Sequence, residues 1–247
     1  MKHRLMGAAI IASLVCGAVI VPGMASDASA RTPQKAAAKK TVKKPATAIA
    51  PVAAEAPNGA VVAGNPAAKN VLVEYISYTC GHCAHFAADS EAPIKPYIAS
   101  GKVKVEYRSL LRDPFDFAAA LLAHCGTPAQ FAGNHSLLLK NQQSWMAKAR
   151  AATAEQRSKW NTEDYTANLT HIANDVGLVS LMKARGFTAA QSNACLADTG
   201  KQAQLLEMTE EAGKLGVQGT PTFFLNGKML ENNVWAAVKT DLDAATK

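Results

Sequence analysis

The most constraining feature of this chain is the apolar run Val71-Leu72-Val73-Glu74-Tyr75-Ile76, followed closely by Thr79-Cys80-Gly81-His82-Cys83-Ala84-His85-Phe86. A run of strand length leading into a Cys-x-x-Cys pair predicts a buried strand that delivers two thiols to the start of a helix. Cysteines three positions apart can close a small disulfide ring within one helical turn. The first sulfur then faces the helix N-terminus, whose unpaired N–H groups and dipole favour an anion. A thiolate is the nucleophile of disulfide exchange, so this placement predicts redox chemistry rather than a passive cross-link.

The surrounding pattern is α/β. Val61-Val62-Ala63 reads as a short strand ended by Gly64-Asn65-Pro66. Residues 81–98 read as a helix with Phe86 and Ile94 apolar, ended or kinked by Pro93 and Pro96. Lys102 to Arg108 alternates polar and apolar and predicts another strand, completing a right-handed βαβ unit. From about 113 to 200 the signals are helical, with capping boxes at Thr127-Pro128-Ala129-Gln130 and Thr188-Ala189-Ala190-Gln191. Tyr165, Leu169, Ile172 and Val176, and then Leu205, Met208, Ala212 and Leu215, recur at helical spacing and are expected to be core. Past Gly219-Thr220-Pro221, the segment Thr222 to Leu225, the turn Asn226-Gly227 and Lys228 to Leu230 predict a hairpin with a type I′ turn. Val234, Val238 and Leu242 predict a closing helix.

The N-terminal region sets the expected compartment. Residues 1–30 pair a basic start (Lys2, His3, Arg4) with an apolar stretch from Leu5 to Val21, then small-residue cleavage sites, as in a secretory signal peptide. An uncleaved membrane anchor is the alternative, and Cys16 inside this segment is given no chemical role. Residues 31–57 are rich in Ala, Lys and Pro and predict a disordered basic linker, because such a composition buries too little surface to offset chain entropy. The first 57 residues hold 8 Lys+Arg against 2 Asp+Glu, leaving 18 against 17 in residues 58–247. Nearly all of the net charge of +7 therefore belongs to the tail, leaving +1 on residues 58–247, which argues against a nucleic-acid-binding face on the folded part. Cys80, Cys83, Cys125 and Cys195 remain after leader removal, an even count that fits an oxidising compartment.

Val73-Glu74-Tyr75, Cys80-Gly81-His82-Cys83 with Phe86 three residues on, Gly219-Thr220-Pro221-Thr222 and the closing hairpin together carry a resemblance. Residues 58–247 resemble the DsbA family of periplasmic thiol–disulfide oxidoreductases, a thioredoxin-like fold with an inserted helical domain at about 113–200. The dipeptide between the cysteines is Gly-His, where the best-studied members of that family carry Pro-His. The resemblance implies Thr220 and a cis Pro221 facing the disulfide and binding extended substrate, and Glu74 beneath the site relaying the proton of the buried cysteine.

Cys80 is expected to be an exposed nucleophile with a lowered thiol pKa, and Cys83 the more buried resolving thiol. His82 is expected to donate to, or carry charge near, the Cys80 thiolate; His85 faces elsewhere. The alternatives are a static disulfide, metal ligation through Cys80, His82, Cys83 and His85, and, for Glu74, a strand-end acid paired with a lysine. Cys125 and Cys195, both on predicted helices of the insert, are expected to form a second, structural disulfide, with two buried free thiols as the alternative. The resulting expectation is a monomeric periplasmic protein disulfide oxidase with no cofactor beyond its own disulfide and no metal. It would act on unfolded exported proteins, be reoxidised by a membrane partner of the DsbB type, and bind no nucleic acid. A reductase or isomerase is the nearer alternative, and a non-catalytic chaperone or adaptor the more distant one.

Overall fold

A computed structural model describes residues 53–247; the expected signal peptide, Cys16 and the linker up to residue 52 lie outside the described residues. The strands are β1 (Ala53–Glu55), β2 (Val61–Gly64), β3 (Asn70–Ile76), β4 (Val103–Ser109), β5 (Thr222–Leu225) and β6 (Lys228–Met229). They form one sheet in the order β1-β2-β4-β3-β5-β6. Only β3 and β4 run parallel, joined through α1 (Gly81–Ser90) and α2 (Lys95–Ala99). The other neighbours are antiparallel.

β3 is one of the two central strands and is covered on both faces, which explains its nearly continuous apolar sequence. Residues alternate between the faces of a strand. On one face Leu72 packs with Phe86, Ile98, Val105 and Phe223, and with Val238 and Leu242 of α11 (Trp235–Ala245). The rings of Phe86 and Phe223 lie 4.3 Å apart, so the helix bearing the cysteines is anchored to β5. On the other face Tyr75 packs with Ala212 and Val217.

Between β4 and β5 run α3 (Pro114–Ala123), α4 (Pro128–Lys140), α5 (Gln142–Arg150), α6 (Ala154–Lys159), α7 (Tyr165–Asp175), α8 (Leu178–Ala184), α9 (Ala189–Leu196) and α10 (Thr199–Lys214). α3 is buried from Asp116 to Ala123. A helix apolar on all sides belongs at the centre of its layer. The core around α3 continues without a break to Ile76, Tyr78, Cys80 and Cys83, so the inserted helices and the cysteine pair share one packed interior. Both expected capping boxes form, and Asn226 and Gly227 have φ of 53° and 83°, as a type I′ turn requires.

Four expectations need correction. Residues 53–55, read as linker, form β1 on β2; an edge strand is held by backbone hydrogen bonds and needs no large side chains. The helix expected over 81–98 is two, with Pro96 near the start of α2, where a missing N–H costs nothing. The insert, expected to end at about residue 200, continues to Lys214, because the helical stripe expected from Leu205 onward lies on α10, which starts at Thr199 and belongs to the same block. Tyr165 and Leu215 are 46% and 51% exposed rather than core, because each sits at a helix end where the apolar stripe leaves the packed layer.

Candidate active site

Cys80 is the N-cap residue of α1, and its backbone is extended (φ −88°, ψ 117°). An N-cap side chain points at the free amides of the first turn, which is the reason a sulfur at this position can hold negative charge. Cys80 and Cys83 are free thiols here. The Cys80 thiol falls from 9.0 to about 4, chiefly through a hydrogen bond from the Cys83 thiol. Burial opposes the shift, while the Thr220 side chain and the amides of Cys83 and His82 assist it. Cys83 is pushed far up, first by burial and then by sharing its proton with Cys80. One thiol is thus the thiolate at neutral pH and the other keeps its proton.

Cys80, expected to be exposed, is only 5% exposed. The loop carrying Pro221 lies against it, with Cys80 Sγ 3.1 Å from the Thr220 carbonyl oxygen. The Thr220–Pro221 peptide is cis. His82 is exposed, and what reaches the sulfur from it is its backbone amide; among the described residues no hydrogen bond involves its imidazole. His85 is also exposed and lies along a cleft at the side of α1.

Glu74 occupies the middle of β3, paired in register with Tyr107 on β4 and Phe223 on β5. It is 3% exposed, and among the described residues no lysine or other partner bonds its carboxyl, so the lysine-paired alternative is not what the fold shows. Burial raises its pKa from 4.5 to about 8, leaving it protonated at neutral pH. Its outlet is a cleft of about 1110 Å³ between α1, α2 and α4, also lined by Gly81, His85, Tyr107, Lys140 and Arg185. Cys125 and Cys195 are joined by a disulfide across a separation of 70 residues, tying the end of α3 to α9.

Two residues at this site have no counterpart in the sequence reading. Asp116, 1% exposed, accepts a hydrogen bond from the Tyr78 amide at 2.6 Å. Gln142, 6% exposed, donates to the carbonyl oxygens of Tyr78 and Cys80 at 2.7 and 2.9 Å. Asp116 had a readable signal, being the one acid in the otherwise apolar helix Pro-Phe-Asp-Phe-Ala-Ala-Ala-Leu-Leu-Ala. Gln142 had none, as it is one of two adjacent glutamines in a polar stretch.

A strand ending at a capped Cys-x-x-Cys helix, faced by a Thr-cis-Pro loop, matches a family model described as thioredoxin over residues 56–244. The chain belongs to the thioredoxin family. A solved structure from Novosphingobium aromaticivorans named protein-disulfide isomerase is 33% identical, covering 75% of this chain and 96% of that one, with a TM-score of 0.70. Wolbachia pipientis alpha-DsbA1 shares the fold at 21% identity and a TM-score of 0.57, with coverage of 77% and 92%. Among relatives named protein-disulfide oxidoreductases, one from Rickettsia prowazekii is 28% identical, covering 83% of this chain and 70% of its own length. One from Rickettsia bellii is 29% identical, with coverage of 75% and 64%. This chain therefore spans about two thirds of the length of those relatives. Like these named relatives, the chain is a thiol:disulfide oxidoreductase.

Proposed function

We propose that the chain is an exported protein disulfide oxidase that works through Cys80 and Cys83. The observation that carries this reading is the opposite displacement of the two thiols, Cys80 down to about 4 and Cys83 far up. A stabilised Cys80 thiolate stabilises the reduced protein, and a dithiol whose reduced form is favoured is an oxidant in its disulfide form. A thiolate of an unfolded substrate attacks Cys80 Sγ of the Cys80–Cys83 disulfide, and Cys83 leaves carrying the electron pair of the broken bond. Glu74, protonated at neutral pH, supplies the proton that Cys83 takes up. The second substrate thiolate attacks the substrate sulfur of the mixed disulfide and releases Cys80 as thiolate. The substrate leaves with a disulfide and the protein retains two electrons.

The backbone around Thr220 and Pro221 receives the extended substrate by short β-pairing, which gives affinity without sequence preference. Turnover needs a membrane protein of the DsbB type to remove the electrons. The apolar leader with its small-residue cleavage sites supports a periplasmic location, and the reading takes the protein as a monomer whose own disulfide is its redox equipment. The signal peptide, a basic linker and a domain that begins with β1 at Ala53 complete the reading.

The test is to mix the disulfide form with reduced, unfolded ribonuclease. Net formation of ribonuclease disulfides at the expense of Cys80–Cys83 is expected. Efficient reshuffling of scrambled ribonuclease with little net oxidation overturns it in favour of an isomerase, the activity in the name of the Novosphingobium relative.

A further inference from the structure

Three residues, Ser77, Tyr78 and Thr79, connect the end of β3 to Cys80, and their placement decides where the nucleophile sits. The inserted helices grip this connection through side chains from three of them and from the cap of one. Asp116 of α3 accepts the Tyr78 N–H at 2.6 Å, and Gln142 of α5 donates to the Tyr78 carbonyl at 2.7 Å. The same Gln142 nitrogen donates to the Cys80 carbonyl at 2.9 Å. Asp113, the N-cap of α3, accepts the Thr79 hydroxyl at 2.7 Å, and the Tyr78 hydroxyl is hydrogen-bonded to His135 of α4 at 3.0 Å. The backbone of Tyr78 is therefore held at both its N–H and its C=O by side chains that lie far away in sequence.

Cys80 O also accepts the Ala84 amide at 3.3 Å, the bond that opens α1. Gln142 thus shares the carbonyl of the N-cap residue with the helix itself. Rotation of the Cys80 peptide would turn the sulfur away from the first-turn amides, and the doubly bonded carbonyl resists that rotation.

We propose that Asp116 and Gln142 are positioning residues for the nucleophile, clamping the Tyr78–Cys80 backbone so that the Cys80 sulfur stays over the amides of α1. The inserted helices then do more than cover the site, because they set the thiolate's environment through the backbone. This rests on Cys80 being the reacting thiol, but not on the direction of electron flow. A failed ribonuclease oxidation would sink the oxidase reading and leave the clamp untouched.

Replacing the two side chains and titrating reduced Cys80 by thiolate absorbance and alkylation rate tests the clamp. Gln142→Met keeps the length and loses the donors. The Cys80 titration should move up, each unit lowering the alkylation rate in the acid range by about tenfold. Asp116→Ala should move it in the same direction, whereas Asp116→Asn, which retains an acceptor for the Tyr78 amide, should stay close to the unsubstituted protein. A folded Gln142→Met with an unchanged titration overturns the proposal, as does Asp116→Asn shifting as far as Asp116→Ala. Should Gln142→Met or Asp116→Ala fail to fold, amide exchange in the unsubstituted protein decides instead. The Tyr78 amide should exchange as slowly as the β3 core, and exchange at the rate of an open loop overturns the clamp.

Discussion

The thiol of Cys80 donates a hydrogen bond to the carbonyl oxygen of Thr220 at 3.1 Å, across 140 residues of sequence. The hydroxyl of the same threonine is buried without a hydrogen-bond partner among the described residues, and as a donor beside Cys80 it would favour the thiolate. Thr220 thus offers the sulfur an acceptor when it is a thiol and a donor when it is a thiolate. A carbonyl alone would favour only the protonated form.

Thr220→Val keeps the backbone carbonyl and removes the hydroxyl. The Cys80 pKa should rise by about one unit, the scale of one hydrogen bond to a charged group. Titration of the thiolate absorbance checks this, and an unchanged midpoint would show that the hydroxyl does not serve the sulfur.

The lowered Cys80 pKa also fixes how the reduced protein responds to pH. Between about 4 and 9.0 the unfolded thiol holds a proton that the folded one has lost, so folding stability rises with pH across that window and the gain disappears below about 4. The disulfide form has no such titration. The advantage in Tm of the reduced over the disulfide form should therefore widen from acid toward neutral pH in paired thermal unfolding scans. A constant difference across that range contradicts the assigned shift.

The parts of this fold that rest on local pattern could be read from the sequence, and those that rest on distant packing could not. Val71 to Ile76 is apolar because β3 is covered on both faces, and Asn226-Gly227 suits a turn that needs two positive φ values. Cys80 and Cys83 could be placed by spacing alone, since a helix start orients both. The burial of Cys80 could not, because the loop that covers it arrives from residue 220. β1 was hidden because alanines held by backbone bonds leave no side-chain signature. Asp116 and Gln142 become meaningful only when α3 and α5 are laid against Tyr78, an arrangement that no periodicity encodes.

Glu74 predicts the opposite pH trend from Cys80. Its pKa is raised from 4.5 to about 8 by burial, so over that interval the folded protein keeps a proton that the unfolded chain releases, and stability falls as pH rises. Glu74→Gln removes this dependence and should stabilise the protein at neutral pH by on the order of a few kcal/mol. The same variant should slow the step in which Cys83 takes up a proton, so that it unfolds at higher temperature yet oxidises substrate more slowly. Urea unfolding at several pH values and stopped-flow oxidation separate the two effects. A variant both less stable and fully active contradicts the role given to Glu74.

The Cys125–Cys195 bond closes a loop of 70 residues that contains α4 to α8, so its removal should act on the insert. Constraining so long a loop lowers the entropy of the unfolded chain and is worth about 4 kcal/mol. With Cys80 and Cys83 replaced by serine, the folded protein should show no alkylatable thiol until it is reduced; two labelled cysteines without reductant would refute the bond. Replacing Cys125 and Cys195 by alanine should lower the denaturant midpoint while leaving the Cys80 titration in place. That outcome is expected because the grip on the Cys80 carbonyl comes from Gln142, at the start of α5, rather than from the bonded end of α3.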